Sequence, residues 1–114
     1  MSLSRSDVHK IRLKYPGRVP IIIKKDPKLQ YHWSCKGGEG IVKILAPESM
    51  TMFDLKLEIL SKLKSLNHFV SDAIYLSSGG HIVLCNNVPI SYVLDKHGRD
   101  GVIYMTIHSE NVFG

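Results

Sequence analysis

The sequence predicts an α+β fold in which one mixed sheet is covered by a main helix, with a short helix at the N-terminus. Three observations carry that expectation. The segment Val19 to Lys25 contains Ile21, Ile22 and Ile23 in succession, a run suited to a strand covered on both faces. Met52, Leu55, Ile59, Leu63 and Leu66 fall on one stripe at helical spacing. Near the C-terminus, Val102, Tyr104 and Thr106 alternate with Ile103, Met105 and Ile107 as in a strand.

The elements follow in order. Ser4 or Ser6 can cap a first helix carrying Val8, Ile11 and Tyr15, which Pro16 stops and Gly17 turns. The β-branched strand from Val19 comes next and ends at Asp26 and Pro27. Lys28 to Gly40 holds Gly37, Gly38 and Gly40 among polar residues and reads as a connection, with Trp33 expected to pack partly against the sheet. Ile41 to Ala46 is a second strand, ended by Pro47. Thr51 with Asp54 resembles a capping box and opens the main helix, whose Lys56, Glu58, Lys62 and Lys64 lie off the apolar stripe. Ile74 to Leu76 and His81 to Leu84 flank Ser77-Ser78-Gly79-Gly80, a hairpin pattern. Pro89 to Lys96 is a brief helix before the last strand.

The 114 residues, 44% of them apolar, can close a single core, so one domain spanning 1–114 is expected. Within it, 1–17 forms a helical extension and 109–114 an exposed tail. No apolar run approaches the roughly 20 residues of a membrane-spanning helix, and the first ten residues lack a signal-peptide core, which predicts a cytoplasmic protein. Cys35 and Cys85 have no CxxC spacing, so reduced thiols are expected rather than a metal or redox site. Fifteen Lys and Arg against ten Asp and Glu give +5, favouring anionic partners. The basic residues are scattered without interleaved aromatics, which argues against nucleic acid. His9, His32, His68, His81, His97 and His108 show no ligand spacing, and no nucleophile–base pair can be read from their order.

Two strands, a covering helix and a late strand running into a tail with a terminal Gly make the plan of the ubiquitin-like β-grasp. A narrower resemblance lies in the residues. Lys10-Ile11-Arg12-Leu13-Lys14-Tyr15-Pro16-Gly17-Arg18-Val19-Pro20-Ile21-Ile22-Ile23 resembles the signature of autophagy-related protein 8, the family that includes GABARAP and microtubule-associated protein light chain 3. Val42-Lys43-Ile44-Leu45-Ala46-Pro47 is similar to its second strand, and Ser109-Glu110-Asn111-Val112-Phe113-Gly114 to its conjugation tail. Three departures stand out: the family's extra N-terminal helix is absent or reduced, the 28–40 connection is longer, and Leu76 to Asn87 diverges.

The resemblance implies a ubiquitin-like modifier of autophagy and no enzyme: the domain is the substrate and needs no cofactor, metal or catalytic group of its own. A cysteine protease would expose Gly114, with Phe113 as its apolar handle. Activating and conjugating enzymes would then pass the carboxylate through thioesters to the amine of phosphatidylethanolamine. Glycine suits a tail that threads narrow clefts, because it has no Cβ. The product would be a monomer, partly cytoplasmic and partly lipid-anchored on autophagosome membranes, for autophagosome formation and cargo selection. The family also implies docking of short aromatic-x-x-aliphatic peptides along the second strand. By resemblance the aromatic pocket maps to Asp7, Ile11, Pro20, Lys43, Leu45 and Val102, and the aliphatic pocket to Ile44, Ala46, Pro47, Met50, Leu55 and Ile59. Arg18 and Lys43 would attract acidic flanks of such motifs. Val102 and Ala46, smaller than the family's usual residues, imply wider or shallower pockets. Two rival readings are a modifier like autophagy-related protein 12, joined to a protein lysine, and an unconjugated peptide-binding adaptor.

Overall fold

The computed structural model describes residues 3–26, 41–65 and 74–109. Its elements run α1 (Arg5–Lys14), β1 (Arg18–Lys25), β2 (Ile41–Pro47), α2 (Met52–Ser65), β3 (Ile74–Ser78), β4 (His81–Val83), α3 (Ile90–His97) and β5 (Ile103–Ser109). The strands form one five-stranded sheet in the order β2-β1-β5-β3-β4. β1 and β5 are parallel, and the other neighbouring pairs are antiparallel, so the sheet is mixed as expected. The segment 27–40, with Trp33, the glycine cluster and Cys35, and the positions Leu66, His68 and 110–114 lie outside the described residues.

Three consecutive isoleucines cannot all face one side of a strand, and both faces of β1 are accordingly covered. Ile21 and Ile23 join Val42, Ile44 and Ala46 of β2, Ile103, Met105 and Ile107 of β5, and the α2 residues Met52, Leu55, Ile59 and Leu60 in the main core. Ile22 points the other way, into a smaller cluster with Val8 of α1 and Val102, bordered by Leu3, Ile41 and Tyr104. Burying each such branched side chain contributes about 1.5–3 kcal/mol. Pro20 cannot donate to a ladder, and it lies where β1 pairs with β2 only, because the β1–β5 register starts at Ile21.

The helices begin where local chemistry satisfies their first N–H groups. At α1, Ser4 Oγ accepts from Asp7 N at 3.1 Å while Asp7 Oδ2 accepts from Ser4 N at 3.3 Å, a reciprocal cap. At α2, the Met52 and Phe53 amides donate to Val88 and Asn86, and Thr51 Oγ1 accepts from Asp54 N at 3.1 Å. Residues 86–88 therefore take over two donors that would otherwise be orphaned, which fixes the helix start against the segment after β4.

Two tight turns need positive φ. Gly79 and Gly80, at φ 58° and 83°, close the β3–β4 hairpin. Asp100 and Gly101, at φ 53° and 81°, close a second two-residue turn between Arg99 and Val102. A Cβ on Gly101 would meet Arg12 Nη2 at 3.0 Å and Val8 Cγ1 at 3.1 Å, so α1 rests directly on this turn. Sequence had begun the last strand at Val102; that residue instead bridges back to Arg99, and β5 starts at Ile103.

Ile103→Ala, at a fully buried position, is expected to cost about 2–5 kcal/mol in urea unfolding. Ile82→Ala, at a residue 65% exposed, should stay within about 0.5 kcal/mol of the parent. The hydrogen bonds from Ser4 hold the Asp7 carboxyl below its ordinary pKa. Its contribution to α1 is therefore complete above the ordinary carboxylate pKa and fades as pH falls through the depressed native value. The Ser4 amide should lose protection, relative to its intrinsic exchange rate, across that acid step, and Asp7→Asn should remove the step. A Ser4 protection factor unchanged by acid in the parent would contradict the cap.

Candidate peptide-docking edge

β2 pairs with β1 alone among the described strands, so no described strand takes up the N–H and C=O groups on its other margin. Its side chains alternate strictly. Val42, Ile44 and Ala46 are buried toward α2, whereas Lys43 is exposed and Ile41 and Leu45 are half-buried on the side of α1. Register places Lys43 opposite Ile22 and Leu45 opposite Pro20. Glu48 N donates to Gly17 O, so Pro20 and Leu45 form a non-hydrogen-bonded pair and the Leu45 carbonyl faces the outer margin, where Arg18 Nη1 donates to it at 3.1 Å. Arg18 is thus anchored at this edge by its own chain, a contact that sequence order could not reveal.

The residues expected around an aromatic pocket divide by depth. Pro20, Lys43 and Leu45 share the α1 side of the β1–β2 ribbon, and Ile11 is half-buried on α1. Asp7 is exposed but committed to the Ser4 cap. Val102 is fully buried in the small cluster with Val8 and Ile22, beneath α1 rather than open to solvent. The residues expected around an aliphatic pocket lie on the other side of β2. Ile44, Ala46, Leu55 and Ile59 are buried in the main core, and only Pro47 and Met50 are half-exposed. The four buried residues can form the floor of a shallow site, not its walls. Gly114 and Phe113 lie outside the described residues.

The sequence reading also missed exposed apolar groups on α2. Phe53 and Leu57, four residues apart and therefore on one helical face, are about half exposed beside the buried stripe. No helix among the described residues is long and apolar enough to cross a membrane.

With this geometry in view, the chain can be set beside known proteins. The family profile described as autophagy protein Atg8 ubiquitin like matches residues 4–114. An autophagy-related protein 8-like protein of Dictyostelium discoideum is 32% identical over 111 residues, spanning 92% of this chain and 80% of that protein. Autophagy-related protein 8e of Arabidopsis thaliana is 27% identical, covering 96% of this chain and 84% of the relative. Among solved structures, Trypanosoma brucei ATG8 superposes with a TM-score of 0.72 at 23% identity, over 96% of this chain and 88% of the other. Plasmodium falciparum Atg8 in complex with a peptide of Plasmodium falciparum Atg3 gives 0.73 at 23% identity, over 93% and 87%. The sheet order, the helix placement and the match across nearly the whole sequence agree: this chain belongs to the Atg8 family of ubiquitin-like autophagy proteins.

Proposed function

We propose that the chain is a membrane-attached modifier: Gly114 is conjugated to phosphatidylethanolamine, and the β2 edge recruits partners through short aromatic-x-x-aliphatic motifs. The observation that carries the reading is that no other described strand pairs with the outer margin of β2, in a chain of this family. An extended peptide adds backbone hydrogen bonds there, which set register. Its alternate side chains then meet the Pro20–Leu45 surface on one side of the ribbon and the Pro47–Met50 surface on the other. Capture of an Atg3 peptide by the Plasmodium relative supports a peptide-receiving role and a place in the conjugation pathway. Exposed Lys43 accelerates encounter with motifs flanked by acidic residues, an effect that salt screens.

Attachment proceeds by activation of the Gly114 carboxylate, transfer between enzyme thiols and attack by the lipid amine, after a cysteine protease has exposed the glycine where residues follow it. Each buried acyl methylene contributes about 0.8 kcal/mol, so a two-chain lipid holds the protein firmly on autophagosome membranes. The unattached form is a cytoplasmic monomer.

In cells, Gly114→Ala should abolish membrane puncta; puncta of undiminished number would leave an unconjugated adaptor as the better reading. Reconstitution with activating and conjugating enzymes and phosphatidylethanolamine liposomes should yield a product that sediments with lipid, whereas an exclusively protein-linked product would overturn the lipid acceptor. Lys43→Glu combined with Leu45→Ala should weaken an acidic aromatic-x-x-aliphatic peptide at least about tenfold by calorimetric titration, with thermal unfolding unchanged. Unaltered affinity would remove the edge from the assignment.

A further inference from the structure

Three side chains from successive strands meet on the α1 side of the sheet. β1 ends at Lys25, and the next amide, Asp26 N, donates to Ile107 O of β5 at 3.0 Å. In the β3–β5 register Tyr75 lies opposite His108 and Ser77 opposite Thr106, which makes Ser77 and His108 diagonal neighbours on one face. His108 Nδ1 is 2.7 Å from Asp26 Oδ2, and His108 Nε2 is 2.7 Å from Ser77 Oγ. An ionised carboxylate only accepts, so Nδ1 carries the proton; in the neutral ring Nε2 then has a lone pair, and the Ser77 hydroxyl donates to it. The Tyr75 ring stacks on the imidazole at 4.7 Å and 16° between planes, restricting its rotation.

This is the order of roles that activates a serine: hydroxyl, base, and a carboxylate that fixes the base's tautomer. The surroundings suit a reaction as well. His108 and Asp26 side chains retain 20% and 23% exposure, shielded without being sealed. Ser77, but neither His108 nor Asp26, lines a half-open cavity of about 590 Å³, large enough for a small organic molecule. Lys24 and Arg99 also line it, none of its described lining residues is a carboxylate, and Arg99 is held over the Tyr104 ring at 5.3 Å. Cationic groups there favour negative charge that develops on a carbonyl oxygen.

We propose that Ser77 is a nucleophile toward small carboxylic esters, with His108 as its base and Asp26 as a positioning residue. The Oγ–carbon bond forms as the hydroxyl proton passes to Nε2. The ester C–O bond then breaks, and the alcohol leaves with that proton, giving acyl-Ser77. Water, activated by the same nitrogen, releases the carboxylic acid and restores the serine. The reaction is independent of conjugation at Gly114 and of the β2 edge.

The test is covalent labelling of the full chain with a fluorophosphonate probe, with the adduct located by mass spectrometry, alongside release of nitrophenolate from 4-nitrophenyl acetate. The adduct should sit on Ser77 and vanish in Ser77→Ala. His108→Ala should label about 10²-fold more slowly, and added imidazole should restore part of the rate, a rescue that a purely structural histidine would not show. Should Ser77→Ala or His108→Ala fail to fold, the parent's adduct map still decides, because labelling elsewhere or nowhere overturns the proposal. Nitrophenolate release by the parent no faster than by Ser77→Ala overturns it too, leaving the three residues as a tie between strands.

Discussion

Burial of β1 on both faces is the constraint from which the architecture follows. Its central isoleucines demand apolar cover on two sides, and one helix cannot provide both. α2 and α3 cover Ile21 and Ile23, while α1 and Val102 cover Ile22. A strand so enclosed takes an interior place in the sheet, between β2 and β5. β2 is thereby displaced to the margin. Loss of cover on the α1 side would expose Ile22 and Val102 together, so the N-terminal helix is as much a part of the core as an appendage to it.

The marginal position gives β2 two different faces. Toward α2 it contributes Val42, Ile44 and Ala46 to the main core, which holds the strand in register, because a slip by one residue would bury Lys43 and expose Ile44. Toward α1 it keeps Lys43 and Leu45 accessible above Pro20. Rigidity on one side and access on the other suit a template for an added strand, since a peptide meets an edge that need not be ordered at the moment of binding. The bond from Arg18 to the Leu45 carbonyl adds a fixed positive group at the same margin.

Much of this was legible in the sequence. The three-isoleucine run, the Met52-Leu55-Ile59 stripe and the double glycine at 79 and 80 each correspond to the element they predict, because in each the local preference and the tertiary environment agree. Depth was less legible. Val102 and Ala46 carry small apolar side chains that suit a pocket wall or a core equally, and only packing decides that both are fully enclosed. Leu60, one residue past the stripe, is buried because α2 meets the sheet over a broader face than a single stripe. The Asp26–His108–Ser77 contact was invisible for a different reason: its members are 82 and 31 positions apart, and only the strand register makes them neighbours.

Membership of the Atg8 family and an available β2 margin together support a modifier that gathers partners by strand addition. Backbone amide exchange across β2, with and without an acidic aromatic-x-x-aliphatic peptide, tests that claim most directly. Alternate amides within Ile41–Pro47 should gain protection on binding, while those of β4, at the opposite margin, keep their free-state rates. A bound peptide that protects β4, or leaves β2 unchanged, would contradict the account.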